Sequence, residues 1–373
     1  MREYAAILGI AIGVTYLLAS IARLVAVRLG AQARVRARDV HAIPIPYFGG
    51  PAMLGGLFAA LLVAERMPFL GAADPTVFRD VRAILFGGAI ICVVGVIDDL
   101  LELDALTKFA GQVLAAVTVV ALGVQFIYLP LPGTFIGLDQ VQAMLLTVFL
   151  VVGTANAVNF VDGLDGLAAG IVAIGAVAFF VFAFVLAVEN GETRAMAAAM
   201  LMISLAGVCV GILPHNFYPA KMFIGDSGSM LIGFVMACGS ISLTGQFPPS
   251  SLAQGIGEAD ASFLPTLLPV ILPFMVLAIP FVDMLLAVVR RTRDGRSPFS
   301  PDKAHLHHRL LQMGHSHPQA VLSMYAVAGL VAFGSVVSSL LSGWELLVSV
   351  VTLCVLTAVA IVLAPKVSSR LGP

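Results

Sequence analysis

The polar residues able to do chemistry in this chain fall into four short clusters. They are Asp98-Asp99, the series Asn156, Asn159, Asp162 and Asp165, the run Gly225-Asp226-Ser227-Gly228-Ser229, and His305-Leu306-His307-His308-Arg309. Each lies at the end of an apolar stretch long enough to cross a bilayer. If the chain threads the membrane back and forth, all four emerge on one side. Carboxylates hold hard divalent cations, and imidazoles and guanidinium groups meet phosphate. Together at one membrane face they point to a metal-assisted site acting on phosphate.

Each cluster also has a plainer reading. An acid in mid-membrane costs about 2.5–3.5 kcal/mol. Asp98 and Asp99, with Glu102 and Asp104 just behind, must therefore meet water or a cation, and a solvated helix end would suffice. Adjacent helical residues point about 100° apart, so the two acids cannot face one ligand equally. Asn156, Asn159, Asp162 and Asp165 recur every third residue. They form a polar ladder if the helix continues, whereas Gly163 and Gly166 argue for a turn within it. The run at 225–229 opens a helix whose free N–H groups could receive phosphate, with Asp226 holding a cation. Asp and Ser are equally ordinary N-caps, and the Gly-Lys-Ser/Thr ending of a P-loop is missing. Ser300-Pro301-Asp302 can start a helix on which His305, His308 and Arg309 share a face while His307 points away. Zinc is one reading, although no cysteine accompanies the histidines; oxygen-rich phosphate sites favour Mg2+. An amphipathic surface helix is the alternative. His315 and His317 follow in the next turn and are assigned no role. Before the second span, His41-Ala-Ile-Pro44-Ile-Pro46-Tyr-Phe-Gly49-Gly50 predicts an extended approach and tight helix packing. Asp283, inside an apolar run, predicts a cavity or a partner.

The elements that must position these groups follow from composition. The 373 residues are 60% hydrophobic and 11% charged, with a mean hydropathy of +1.03. Soluble domains carry roughly a quarter charged residues, so the solvent for most of this surface is lipid. Spanning segments are then helices that satisfy their own backbone, and the alternating strands of a barrel are absent from the sequence. Apolar runs fall at about 4–27, 48–65, 81–97, 107–127, 141–158, 166–188, 195–213, 223–243, 264–289, 319–341 and 345–364. The expectation is an all-α polytopic membrane protein of ten or eleven transmembrane helices in one domain, 1–373. The run at 4–27 is too long for a signal-peptide core and is expected to stay as the first helix. Prolines 265, 269, 273 and 280 predict kinks in the ninth. With the loop 28–47 placed in the cytoplasm, fourteen Lys and Arg lie inside and five outside. That bias puts the N-terminus outside and the C-terminus in the cytoplasm. The cytoplasmic loops are then about 28–47, 98–107, 156–166, 214–226 and 290–318. A net charge of −1 offers no field for nucleic acid. Cys92, Cys209, Cys238 and Cys354 read as small buried apolar side chains.

In their order and type, Asp98-Asp99, Asn156-x-x-Asn159-x-x-Asp162-Gly-x-Asp165-Gly-Leu, Gly225-Asp226-x-Gly228-Ser229 and His305-x-His307-His308-Arg309-Leu resemble one family. It is the polyprenyl-phosphate N-acetylhexosamine-1-phosphate transferases, and the resemblance runs from about 28 to 311. It implies transfer of a sugar 1-phosphate from a UDP-sugar to polyprenyl phosphate at the inner membrane, with release of UMP. It also implies a requirement for Mg2+, with Mn2+ as an alternative, and a homodimer, which is common among relatives. By resemblance Asp226 is the metal ligand. Asp98 is the acid that deprotonates the lipid phosphate or, in another scheme, the nucleophile, with Asp99 in the same cluster. Asn159, Asp162 and Asp165 lie around the nucleotide and metal. Asn216 and Phe223 contact uracil, and His305, His308 and Arg309 meet the diphosphate and sugar. Lys108 is a basic position of the family; His41, Asn156 and His307 join the substrate-binding set. The pattern His-x-His-His-Arg-Leu is that of the UDP-N-acetylglucosamine branch rather than the muramoyl-pentapeptide branch. Ile45 and Tyr47 stand where that branch has Thr and Arg.

Donor and acceptor both carry phosphate and repel each other; a divalent cation offsets that charge. Two other classes fit these residues less well. A secondary transporter would place its acids at the bilayer centre, whereas these lie at one edge. A CDP-alcohol phosphotransferase needs an arginine that Asp165-Gly-Leu-Ala-Ala169 lacks.

Overall fold

A computed structural model describes residues 1–32, 44–131, 134–189, 195–244 and 315–340, with isolated positions between 288 and 356. The helices are α1 (Arg2–Leu29), α2 (Gly49–Ala64), α3 (Pro75–Leu101), α4 (Ala105–Ala121), α5 (Gln140–Val161), α6 (Leu167–Glu189), α7 (Ala195–Asn216), α8 (Gly225–Thr244) and α9 (His317–Leu340). Among the described residues seven are long and apolar enough to cross a membrane, and α2 and α4 are shorter apolar helices. The protein is therefore a mostly helical, multi-pass membrane protein. His41, Asp283, His305, His307, His308 and Arg309 lie outside the described residues.

The structure is mostly helical, as expected, with one short hairpin added. Between α4 and α5 the chain forms an antiparallel hairpin, β1 (Tyr128–Leu131) with β2 (Thr134–Gly137), in register Tyr128 to Gly137 and Leu131 to Thr134. Tyr128 and Ile136 are of the aromatic and β-branched types that favour strands.

Helix ends are set by local capping. Asp74 accepts from the Thr76 amide with Pro75 at the first turn, so α3 starts six residues before its apolar run. Asp104 accepts from Leu106 and Thr107 to start α4. Asp139 and Gln142 form a capping box for α5.

Helix α8 is the centre of the bundle. Among the described residues α3, α5, α7 and α2 all pack against it, and Phe234, Met230 and Leu231 are fully buried. Small residues let the neighbours approach its N-terminus. A Cβ on Gly49 would stand 2.6 Å from the Ile224 Cα, and one on Gly50 would stand 2.5 Å from the Ser227 carbonyl carbon. Gly95 of α3 crosses directly over the Ser227 backbone, leaving no room for a side chain. The 44–50 segment runs alongside 222–224: Phe223 N–H donates to Pro46 (2.9 Å), Gly49 N–H to Phe223 (3.2 Å) and Gly50 N–H to Ile224 (3.1 Å). The extended, proline-set approach read from the sequence thus lies against the entrance to α8.

Candidate active site

At one end of the bundle the ends of α3 and α5 meet the starts of α4 and α8. Lys108, one turn into α4, is the hub. Its ammonium lies 2.8 Å from Asp98 Oδ2 and also pairs with Asp226 Oδ2. Asp98 is buried, and its other oxygen accepts from the Leu103 amide at 2.8 Å. Asn159 donates to Asp226 Oδ1 at 2.7 Å and to Ser229 Oγ at 2.8 Å. Asp98, Lys108, Asn159 and Asp226, which lie far apart in sequence, thus form one connected group.

Asp99 faces elsewhere, as the angle between adjacent helical residues requires. It caps α8 from a different helix. Its Oδ1 accepts from the Asp226 amide at 2.8 Å, and Oδ2 accepts from the Ser227 amide (3.3 Å) and hydroxyl (2.9 Å). Gly225 makes this possible, with φ at +69° and a would-be Cβ only 2.5 Å from Asp99 Oδ2. The α8 N-terminus, read from sequence as open to phosphate, has these two donors filled by Asp99. The carboxylate supplies the negative charge that the helix dipole favours.

The polar ladder is helical only in its first half. Asn156 and Asn159 are in α5, Asp162 is its C-cap, and Gly166 turns the chain at φ +78°. Asn156 pairs with Gln112 of α4, donating to Oε1 at 2.7 Å and accepting from Nε2 at 3.3 Å. Gln112, with the Met230 sulfur 3.0 Å from Nε2, is buried one turn beyond Lys108. It forms an amide layer directly behind the charged one. A lone glutamine on the Lys108 face of an apolar helix was the available sequence signal.

Asp162 is half-buried. Removal of its carboxyl from water, and after it the charges of Asp226, Asp99 and Asp165, holds that carboxyl well above the usual range. Asp165 is buried and accepts from the Ala220 amide at 2.9 Å. Asn216, also buried, accepts from the Gly166 amide (3.1 Å) and donates to the Met222 carbonyl (3.1 Å). These two fasten the 162–166 turn to the 217–224 loop. Phe223 in that loop is partly exposed, its ring 6.2 Å from that of Tyr47. Arg291, unassigned by sequence reasoning, lies over the Phe160 ring at 5.8 Å, beside Asn159.

No three His, Cys, Asp or Glu groups converge as a metal cage among the described residues. The donors are nevertheless hard oxygens. Mg2+ commonly takes one or two protein carboxylates and completes its shell with water and substrate phosphate. Two carboxylates, Asp98 and Asp226, share the single Lys108 ammonium. A divalent cation fits this donor set.

Comparison with known proteins gives a concordant result. Residues 81–244 match the family model described as glycosyl transferase family 4. The chain is 47% identical over 341 residues to the decaprenyl-phosphate N-acetylglucosaminephosphotransferase of Mycobacterium tuberculosis, covering 90% of this chain and 82% of the relative. It is 30% identical over 327 residues to a probable undecaprenyl-phosphate N-acetylglucosaminyl 1-phosphate transferase of Bacillus subtilis, covering 87% and 82%. It is 30% identical over 332 residues to the undecaprenyl-phosphate alpha-N-acetylglucosaminyl 1-phosphate transferase of Escherichia coli, covering 83% and 77%.

Proposed function

The chain belongs to glycosyl transferase family 4, and on that premise we propose how its charged cluster works. The protein is a glycosyl-1-phosphate transferase that moves N-acetylglucosamine 1-phosphate onto polyprenyl phosphate. The donor is UDP-N-acetylglucosamine and the by-product is UMP. The observation that carries this reading is Lys108 bridging Asp98 and Asp226, with Asn159 bound to the same Asp226.

An oxygen of the acceptor phosphate attacks the sugar-bearing phosphorus of the donor. A new P–O–P bond forms, the bond to the uridylyl phosphate breaks, and UMP leaves with the bridging oxygen and its electron pair. The attacking oxygen is already anionic near neutral pH, so no hydroxyl needs activating. Asp98 takes any proton left on the acceptor phosphate. In this reading the Lys108 ammonium offsets part of the repulsion between the two anionic substrates. Asn159 holds Asp226 in one orientation, and Asp99 fixes the backbone that bears it. A Mg2+ ion, with Mn2+ as an alternative, would be held by Asp226 with Asp98 or Asp162, and would neutralise and polarise the diphosphate.

The bias of basic residues supports a cytoplasmic position for this end of the bundle, with the N-terminus outside. The lipid tail then stays among the helices at the plasma membrane while its phosphate reaches the site. The test is Asp226→Asn, assayed by UMP formation from UDP-N-acetylglucosamine and polyprenyl phosphate. The variant should remain folded and lose turnover; near wild-type turnover would remove the assigned cation role.

A further inference from the structure

We propose that His317 is a positioning residue, holding the 162–166 turn in register with the active site through a hydrogen bond to the Asp165 amide. This rests on the transfer reaction proposed above. His317 opens α9, far along the chain from the acid cluster. It is 7% exposed. Its Nε2 lies 3.2 Å from the Asp165 nitrogen, which donates to it. That geometry requires a lone pair on Nε2, so the imidazole carries its hydrogen on Nδ1. The ring stacks on Tyr218 with centroids 4.8 Å apart and planes 19° from parallel.

One further contact shows that α9 is built to grip this turn. The Tyr325 hydroxyl donates to the Gly166 carbonyl. Gly170 of α6 makes way for it, because a Cβ there would collide with the Tyr325 ring. Thus α9 holds the amide of Asp165 and the carbonyl of the next residue, two helical turns apart on one face. From the other side Ala220 and Asn216 hold the same turn.

The consequence for catalysis runs through Asp162. It caps the end of α5, the helix whose Asn159 holds Asp226, and leads directly into this turn. A turn fixed on both sides keeps that carboxyl in place without reorganisation during the reaction. His317 touches no substrate in this scheme. It acts on the chemical step by keeping Asp162 in place, and so affects kcat rather than donor affinity.

Three variants separate this role from simple packing. His317→Phe keeps a ring on Tyr218 and removes the acceptor. His317→Gln offers an amide oxygen near the position of Nε2. Tyr218→Leu leaves the acceptor and removes the plate beneath it. Two readouts are used on the full-length protein: steady-state UMP formation, and hydrogen exchange of the peptide containing Asp165. His317→Phe should lower kcat about fivefold, the size expected of one neutral hydrogen bond, with the KM for UDP-N-acetylglucosamine changed less than twofold. Exchange at Asp165 should rise about tenfold. His317→Gln should stay near wild type in both. Wild-type exchange and kcat in His317→Phe would overturn the proposal, and so would a His317→Gln as impaired as His317→Phe. If His317→Phe does not fold, Tyr218→Leu decides: exchange at Asp165 should rise about threefold, and unchanged exchange overturns the proposal. A wild-type protein that forms no UMP would defeat the functional reading, while the exchange comparison would still judge His317.

Discussion

Asp99 offers the sharpest test of how the site is built. It is one of two adjacent acids, and a purely chemical reading would treat both as acting on substrate. The structure instead gives Asp99 three hydrogen bonds to the start of α8, at 2.8, 3.3 and 2.9 Å. Ser227, which supplies two of the donors, is fully buried. Asp99→Ala removes the acceptor and leaves those donors without water. A net bond to a charged group contributes about 1.5–3 kcal/mol, and a stranded buried donor costs about 1–3 kcal/mol. N-cap removal alone costs about 1 kcal/mol. Because the three bonds share one carboxylate they do not add fully, and a loss of about 3–5 kcal/mol is expected. At about 2 °C per kcal/mol for a large chain, the melting temperature should fall by about 6–10 °C. Asp99→Asn keeps one carbonyl oxygen and should lose about half as much, with kcat reduced but measurable. The assay is thermal unfolding in detergent alongside UMP formation. An Asp99→Asn protein with wild-type melting and no turnover would refute the capping argument and place Asp99 on the substrate.

Gln112→Leu should destabilise the protein by about 1–3 kcal/mol, because it strands the Asn156 amide oxygen. The double variant Gln112→Leu/Asn156→Leu should recover part of that loss, since both partners of the pair are then apolar; a double-mutant cycle checks the coupling. Asp162 predicts a pH effect in chelator-treated protein. Its folded carboxyl titrates above the unfolded value, so between the two the folded state binds more protons and stability falls as pH rises. The contribution is fully present below the ordinary carboxyl range and is lost as pH climbs through the raised value. Asp162→Asn should remove that decline, so that its melting temperature exceeds wild type increasingly as pH rises. Parallel pH profiles for the two proteins would contradict the assignment.

Much of this protein was legible in one dimension because its two strongest signals are local. A bilayer demands long apolar helices, so composition and run length were enough to give a multi-pass helical membrane protein. The clusters at 98–99, 156–165 and 225–229 stood out because ionisable groups are costly beside lipid. The sequence also indicated that Asp98 and Asp99 would diverge, since the angle between neighbouring helical positions is fixed by the backbone. The choice of which acid took which part was tertiary. Gly95 and Gly225 let α3 and α8 approach until Asp99 met the helix end, and α4 then brought Lys108 between Asp98 and Asp226. Gln112 and His317 went unassigned for the same reason. Their partners lie 44 and 152 residues away, and a hydrogen bond of that span leaves no periodicity to read. Spacing along the chain determined what the membrane would accept. Only packing decided which polar group would face which.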